Sequence, residues 1–177
     1  MDDIAAMLGM SKKTLYLSFK SKDELVFSVV QNLIQKNHEF CNLALIGSQN
    51  AIDELFKNLE FLNEIFQPLN PSILFDLKKH HKDSFELVEK FKNEFVLEKI
   101  TANLKRGIAE GLFRDNINID IVAKYRLESV FIPFSYEFSQ QKHSLLEIER
   151  EILINYLYGL ASEKGYKMID KYLKQMK

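Results

Sequence analysis

The sequence predicts an all-α protein. Only six Gly and three Pro occur among its 177 residues, so few positions interrupt a helix. Apolar residues recur mostly at spacings of three and four, the repeat of a helix that buries one face. A sustained alternation of apolar and polar residues, typical of half-buried strands, is missing. We therefore expect helices joined by short connections along the whole chain.

Start and stop signals divide the chain into successive helices. Ser21 with Glu24, and Ser144 with Glu147, have the spacing of capping boxes at helix starts. Glycines, prolines and polar connectors separate the helices. Pro133 should kink the helix that contains it. The predicted helices cover residues 2–8, 11–19, 22–47, 50–66, 71–80, 84–110, 119–140, 144–163 and 166–175. The apolar face of the helix at 22–47 includes Leu25, Val29, Leu33, Phe40 and Leu43.

Composition limits the class of protein. The net charge is −1, so contact with nucleic acid would need a local basic patch. The single cysteine, Cys41, cannot form an intramolecular disulfide, which favours a reducing, cytoplasmic setting. It could be a redox sensor, but its apolar helical surroundings favour a place in the core. No apolar run approaches the roughly 18 residues of a membrane span, and no signal peptide precedes Asp2.

Residues 4–25 have the pattern of a helix-turn-helix, which holds two short helices at a steep angle. Ala5 is the small residue needed where the helices cross, and Gly9 supplies the turn. The apolar positions beneath are Ile4, Leu8, Met10 and Leu15. Lysines at positions 12, 13, 20 and 22 form the local basic patch, with no acid between residues 11 and 22.

The second helix of this motif should present polar side chains to the major groove of DNA. Lys12 and Lys13 suit guanine acceptors, and the hydroxyls of Thr14 and Tyr16 suit phosphates or bases. Lys22 lies in the first turn of the following helix, where a phosphate is favoured. A pair of ordinary amphipathic helices with solvated lysines is the alternative, which the joint pattern outweighs. The candidate DNA-binding residues are Ser11, Lys12, Lys13, Thr14, Tyr16 and Lys22.

This stretch closely resembles the head of the tetracycline-repressor (TetR) family. That family's motif corresponds here to Ile4-Ala5, Gly9-Met10-Ser11, Thr14-Leu15-Tyr16, Phe19, Ser21-Lys22 and Asp23-Glu24-Leu25. The resemblance implies a homodimeric transcriptional regulator, a repressor that a small, apolar effector releases from double-stranded operator DNA. It also implies a helix-turn-helix head with its connecting helix in residues 1–46, and a helical effector-binding and dimerisation body in residues 47–177.

The resemblance has one departure. Family heads normally begin with an additional helix, which is missing before Ile4. Without it, Ile4, Leu8, Leu15, Phe19 and Leu25 should lose part of their cover, at about 1.5–3 kcal/mol for each exposed side chain. We therefore expect the natural chain to begin upstream of Met1. The alternative is a helical dimerisation module whose truncated head does not bind DNA.

The body is rich in aromatic residues, and the resemblance implies an effector cavity among its helices. A packed core is the simpler interpretation of any single Phe. Polar groups should converge on such a pocket. Arg126 and Glu128 are two candidates for these polar groups. The candidate pocket residues are Phe56, Asn63, Phe91, Phe95, Tyr125 and Ser129.

The helix at 144–163 carries an apolar stripe wider than one buried face needs. The resemblance implies a two-fold dimer through this helix and the helix at 119–140. A fully internal helix is the alternative. The candidate interface residues are Ile148, Ile152, Tyr156 and Leu160.

Asp76 and His80 are spaced to share one helix face and could chelate a metal ion. Residues 78–83 are charged throughout, however, which favours a solvated loop. The sequence contains no nucleophile–base pair, metal-ligand spacing or glycine-rich phosphate loop that would indicate an enzyme. We therefore expect no catalytic activity, metal or cofactor.

Overall fold

The computed structural model of the chain describes residues 1–135, 138 and 142–175. Within these residues the chain is helical, apart from connections and one isolated antiparallel bridge between Phe113 and Ala161. The all-α prediction is therefore confirmed. The helices are α1 Asp2–Met7, α2 Lys12–Ser18, α3 Lys22–Gly47, α4 Ala51–Phe66, α5 Ile73–His80, α6 Lys82–Phe91, α7 Leu97–Ala109, α8 Ile119–Phe131, α9 Leu145–Leu160 and α10 Glu163–Gln175.

Two predicted helices differ from the observed ones. The predicted helix at 84–110 contains a π-helical turn, Lys92–Val96, between α6 and α7. The predicted helix at 119–140 ends its α-helical part at Phe131 and continues as a 3₁₀ turn, Ile132–Phe134. Pro133 has no N–H to donate, so it ends α8 instead of kinking a longer helix. Residues 136, 137 and 139–141, where that prediction ended, lie outside the described residues.

Side-chain caps fix where several helices begin. At the start of α9, Glu147 N–H donates to Ser144 Oγ (3.2 Å), and Ser144 N–H donates to Glu147 Oε2 (2.7 Å), completing the predicted capping box. At the start of α3, Ser21 Oγ accepts from Glu24 N–H (3.1 Å). The Glu24 carboxylate accepts instead from Lys20 N–H (2.6 Å), one residue earlier than a capping box requires.

The main core forms where α4 packs against α3, α7, α9 and α10. Its completely buried residues come from distant parts of the chain, so this core holds the helices of the body together. The largest of these side chains are Ile52, Leu104, Leu112, Leu153, Leu157 and Ile169. A second, smaller cluster contains Ile65, Phe66 and Leu145. No helix among the described residues is long and apolar enough to cross a membrane.

Helix α3 packs against α4 and α6 with a face that partly overlaps the predicted one, because Leu25, Leu33 and Phe40 are half-buried. Val29 and Leu43 were expected inside, but both are exposed, whereas Val30 and Ala44 are buried. Each observed position follows a predicted one by one residue, a rotation of about 100° around the helix axis. The packing of α4 and α6 thus selects between two adjacent apolar stripes.

The start of α10 fits closely against the loop after α7. Ser162 N–H donates to Leu112 O (2.9 Å), and Arg114 N–H donates to Leu160 O (2.9 Å). Gly165 lies directly against the Leu112 carbonyl, so a Cβ at this position would overlap backbone atoms. The absence of a side chain at Gly165 therefore allows α10 to dock.

Gly165→Ala should lower the free energy of unfolding by about 1–3 kcal/mol, because the backbone must shift to accommodate the methyl group. The corresponding loss in melting temperature is several degrees. Gly47→Ala is the matched control: it lies in a helix with open space around it, and should be neutral or stabilise by up to about 1 kcal/mol. Thermal unfolding followed by circular dichroism measures both. Equal melting temperatures for the two variants would contradict this packing.

Candidate functional site

The first two helices cross at the positions that the motif predicts. Ala5 and Leu15 are buried where α1 meets α2. Gly9 has a φ of 64°, and its N–H donates to Ala6 O (3.1 Å), which closes the turn. A residue with a side chain rarely adopts this backbone conformation. The local sequence therefore sets the angle at which α2 leaves α1.

The N-terminus of α2 holds the candidate DNA-binding hydroxyls. Ser11 Oγ accepts from Thr14 N–H (3.0 Å) and lies 2.8 Å from Thr14 Oγ1. Ser11 is thus the N-cap of α2. Tyr16 lies further along the same helix and is exposed. Ser11 and Thr14 share a hydrogen bond at the helix end, which fixes their orientation.

The candidate lysines differ in their surroundings. Lys12 Nζ lies 2.9 Å from Asp2 Oδ1, and this hydrogen-bonded contact raises the pKa of Lys12 and lowers the pKa of Asp2. In the described part of the chain, Lys13 and Lys22 take part in no ion pair. Both are exposed. Among the three candidate lysines, Lys13 and Lys22 are therefore more available to a phosphate than Lys12.

The head also exposes apolar side chains. Leu8 was expected to lack cover, and it is 57% exposed. Leu15 was expected to lack cover too, but it is buried because it fills the crossing of α1 and α2. Ile4, Phe19 and Leu25 are half-buried. Met7 and Leu17 are largely exposed, which the sequence did not indicate.

A hydrogen-bonded contact links the beginning of α3 to the corner between α5 and α6. His81 Nδ1 lies 2.5 Å from Asp23 Oδ1. Asp23 directly follows Lys22 in the sequence. The prediction of a solvated loop at 78–83 was wrong about the loop, because residues 78–80 end α5 and residues 82–83 begin α6. These residues are exposed as predicted, whereas the His81 side chain is mostly buried. Asp76 accepts from Ser72 Oγ (2.9 Å). Among the described residues, no three His, Cys, Asp or Glu side chains form a group that suits a metal ion.

A cavity of about 230 Å³ lies between α3, α4, α5 and the helices that follow. Most of its wall is apolar, which suits an apolar ligand. Helix α3 supplies one side, and α5 supplies another. Residues that represent the apolar wall are Val30, Leu33, Phe61, Leu77, Phe91 and Phe134.

A buried ion pair lies in the cavity wall. Arg126 Nη2 of α8 donates to Glu149 Oε1 of α9 at 2.5 Å, and both residues are buried. Arg126 Nη1 also donates to Ser129 Oγ (3.2 Å). Burial raises the pKa of the Glu149 carboxyl, and Arg126 opposes that shift. Sequence analysis missed Glu149, although an acid within the apolar stripe of this helix was a usable signal.

Glu54 and Cys41 are two further polar side chains in the cavity wall. Glu54 Oε2 lies 2.9 Å from Arg106 Nη1, so its charge is matched. Burial raises the pKa of the Cys41 thiol to about 11. At neutral pH the thiol is therefore protonated, which makes it a poor nucleophile.

The candidate pocket residues are divided between the cavity and other places. Phe91 lines the cavity. Phe56 belongs to the main core, 5.6 Å from the Tyr172 ring, and Phe95 packs against His38 with ring centres 3.7 Å apart. Asn63 is exposed, because it lies on the outer face of α4.

The other two candidates, Tyr125 and Ser129, lie on α8 outside the cavity wall. Tyr125 is 61% exposed on the outer face of the helix. Ser129 is buried beside Arg126, where its Oγ donates to Arg126 O (2.8 Å). Ser129 therefore contacts Arg126 of the ion pair without lining the cavity.

The candidate interface residues mostly lie inside the protomer. Tyr156 and Leu160 belong to the main core, and Ile148 is also buried. Ile152 is only half-buried. Most of the apolar stripe of α9 is therefore buried in the core of the protomer itself. The larger exposed apolar side chains nearby are on α8, where Ile121 is 66% exposed beside Tyr125.

Comparisons with known proteins agree with this architecture. Residues 1–29 match the family model of bacterial regulatory proteins, tetR family. The chain is 35% identical over 132 residues to an HTH-type transcriptional regulator, YvaF, of Bacillus subtilis (strain 168). That match covers 73% of this chain and 68% of the relative.

Two solved structures share the fold. The ketosteroid transcriptional regulator KstR2 of Mycobacterium tuberculosis superposes with a TM-score of 0.70 at 18% identity, over 92% of this chain and 84% of that chain. The TetR family regulator PfmR from Thermus thermophilus gives a TM-score of 0.67 at 21% identity, over 91% and 88%. With the match at the head and the identity to YvaF, these findings show that the chain is a transcriptional regulator, not an enzyme, and belongs to the TetR family.

Proposed function

We propose that the chain is a homodimeric repressor that a small, apolar effector releases from operator DNA in the cytoplasm. TetR-family regulators bind operator DNA and act as dimers. We assign DNA binding to a head of residues 1–46, and effector binding and dimerisation to a body of residues 47–177. The observation that carries this proposal is that α3 begins beside the candidate DNA-binding residues and forms a wall of the cavity.

DNA binding would use the exposed N-terminal end of α2. We assign base or phosphate contact to Lys13, whose ammonium is exposed and outside any ion pair within the described residues. On binding DNA, Lys12 would release Asp2, with which it makes an exposed contact, and would contact the DNA instead. Lys22, in the first turn of α3, would bind a phosphate together with the helix N-terminus. Tyr16 would add a hydroxyl from the exposed side of α2.

Lys13→Ala should weaken binding to duplex DNA and reduce the dependence of log K on log salt. Each lost phosphate contact lowers that slope by about one, so a dimer with two heads should lose about two. Fluorescence anisotropy with a labelled operator at several salt concentrations measures both quantities. Candidate operators come from the DNA around the gene.

Lys171→Ala is the matched control, because Lys171 is an exposed lysine on α10 in the body. It should leave the affinity and the slope unchanged. If the two variants have equal slopes, the assignment to Lys13 is wrong. If the unaltered protein binds duplex DNA without any salt dependence, the DNA-binding proposal fails, and a dimerisation module becomes the better account.

Communication between the cavity and the head would run through α3 and α5. Leu33 of α3 and Leu77 of α5 both line the cavity, so a ligand contacts both helices at once. His81, directly after α5, contacts Asp23 at the start of α3. A shift of α5 relative to α3 would therefore act beside Lys22. Effector binding would move the two heads away from the spacing of the operator half-sites.

The dimer would form through the outer faces of α8 and α9. Ile121 and Tyr125 expose large apolar surfaces on α8, and Ile152 is half-buried on α9. An exposed apolar patch of this kind indicates a contact surface. Two-fold symmetry would place this patch against its own copy and give one head for each half-site.

Tyr125→Glu should convert the dimer into a monomer, because a carboxylate on the two-fold interface loses its water and meets its own copy. Leu43→Glu is the control: Leu43 is similarly exposed, but lies on α3. Sedimentation velocity or light scattering at micromolar concentration gives the mass. A dimeric Tyr125→Glu protein would place the interface elsewhere.

A further inference from the structure

The ion pair between Arg126 and Glu149 leaves one carboxylate oxygen without a partner. Glu149 is completely buried, and its Oε1 accepts from Arg126 at 2.5 Å. Its other oxygen, Oε2, accepts no hydrogen bond. Among the described residues, this is the one buried side-chain oxygen or nitrogen in that condition. Buried polar atoms are nearly always hydrogen-bonded, so this exception requires an explanation.

The surrounding protein holds Arg126 away from that oxygen. The guanidinium donates to Ser129 Oγ through Nη1 (3.2 Å), and it lies over the Tyr156 ring at 5.1 Å. It therefore meets Glu149 through one nitrogen and one oxygen, instead of the two parallel bonds that such a pair can form. Glu149 also forms part of the cavity wall. With Oε1 bound to Arg126, Oε2 is the oxygen that can still accept a hydrogen bond. Because Glu149 has no exposed area, a ligand must displace part of the cavity wall to reach it.

The charges in the wall indicate a neutral ligand. Arg126 pairs with Glu149, and Arg106 pairs with both Glu54 and Glu110. Lys99, also in the wall, donates to Asn42 Oδ1 (3.3 Å) and lies over the Phe95 ring at 5.2 Å. Lys99 has no ion-pair partner among the described residues, but a cationic ligand would find both wall carboxylates already paired, and an ionised carboxylate ligand has no hydrogen to donate to Oε2. A ligand of either charge would also lose its water in a mainly apolar space, which is costly.

The cavity volume limits the size of the ligand. An engineered apolar cavity of about 150 Å³ holds one benzene molecule. In proportion, a cavity of about 230 Å³ suits a ligand of about nine non-hydrogen atoms. A short aliphatic chain or one substituted ring falls in this range.

We propose that the effector is a neutral, apolar molecule whose single hydroxyl or N–H group donates a hydrogen bond to Glu149 Oε2. This inference rests on the proposed effector cavity, and it adds the chemistry that the ligand must carry. A hydrogen bond to an ionised, water-excluded carboxylate is stronger than one between neutral groups. The single donor would therefore set both the orientation and the selectivity of binding.

Two probes of the same size test the donor directly. 1-Octanol donates a hydrogen bond, whereas 1-methoxyheptane has the same number of non-hydrogen atoms and can only accept one. Isothermal titration calorimetry on the dimeric protein at neutral pH should give an affinity at least about tenfold higher for 1-octanol. Octylammonium and octanoate, which carry a charge on a similar chain, should bind more weakly than 1-octanol.

Glu149→Gln provides a second test. Arg126 needs an acceptor, so it should bind the amide oxygen and leave the amide NH₂ to face the cavity. The preference for 1-octanol should then disappear or reverse in favour of 1-methoxyheptane. Glu151→Gln, an exposed acid on the same helix, should keep the original preference. If Glu149→Gln does not fold, the comparison of 1-octanol with 1-methoxyheptane on the unaltered protein still decides whether the inference holds.

The outcomes separate this inference from the proposed function. Equal affinities for 1-octanol and 1-methoxyheptane, or tightest binding by octanoate or octylammonium, would overturn the inference and leave the cavity as a ligand site. An unchanged preference in Glu149→Gln would also overturn it. If none of the four probes binds, both the donor assignment and the proposed effector cavity fail.

Discussion

Helix α3 is the constraint on which the rest of the molecule depends. Its first turn contains Lys22 and Asp23, beside the turn that leads from α2. Its middle, around Leu33, forms one wall of the cavity. A continuous helix transmits a displacement along its axis, because each residue is hydrogen-bonded to the next turn. We therefore propose that a ligand which changes the packing of α3 in the body also changes the position of the head.

The cavity wall balances an apolar surface against a few buried charges. Apolar packing alone would select a ligand weakly, since one methylene changes affinity by about 1–3 kcal/mol at most. A buried carboxylate such as Glu149 discriminates more strongly, because a ligand without a donor leaves it unsatisfied. Arg126 keeps this carboxylate in place from α8. The same two helices, α8 and α9, carry the proposed dimer surface, which places effector binding and subunit contact side by side.

The local features of the fold could be predicted from sequence, whereas the features that depend on packing could not. Gly9 and the Ser144 capping box are determined by neighbouring residues, and both have their predicted roles. Two positions on the buried face of α3 were predicted one residue out of register, because only the packing of α4 and α6 selects Val30 over Val29. Glu149 was missed for the same reason: its partner Arg126 is 23 residues away in sequence. Phe91 was predicted to line the cavity because the body is rich in aromatic residues. Aromatic composition alone cannot distinguish a residue in a cavity wall from a residue in a packed core.

Coupling between the cavity and the head is tested most directly by filling the cavity from within. Ile100 lines the cavity on α7, far along the chain from the head, and Ile100→Trp would occupy part of the space. Glu98→Trp, on the exposed side of the same helix, is the control. The account predicts that folded, dimeric Ile100→Trp binds its operator about 5–150-fold more weakly, the usual range of coupling between sites, while Glu98→Trp binds normally. An Ile100→Trp protein that is folded, dimeric and unchanged in operator affinity would contradict it.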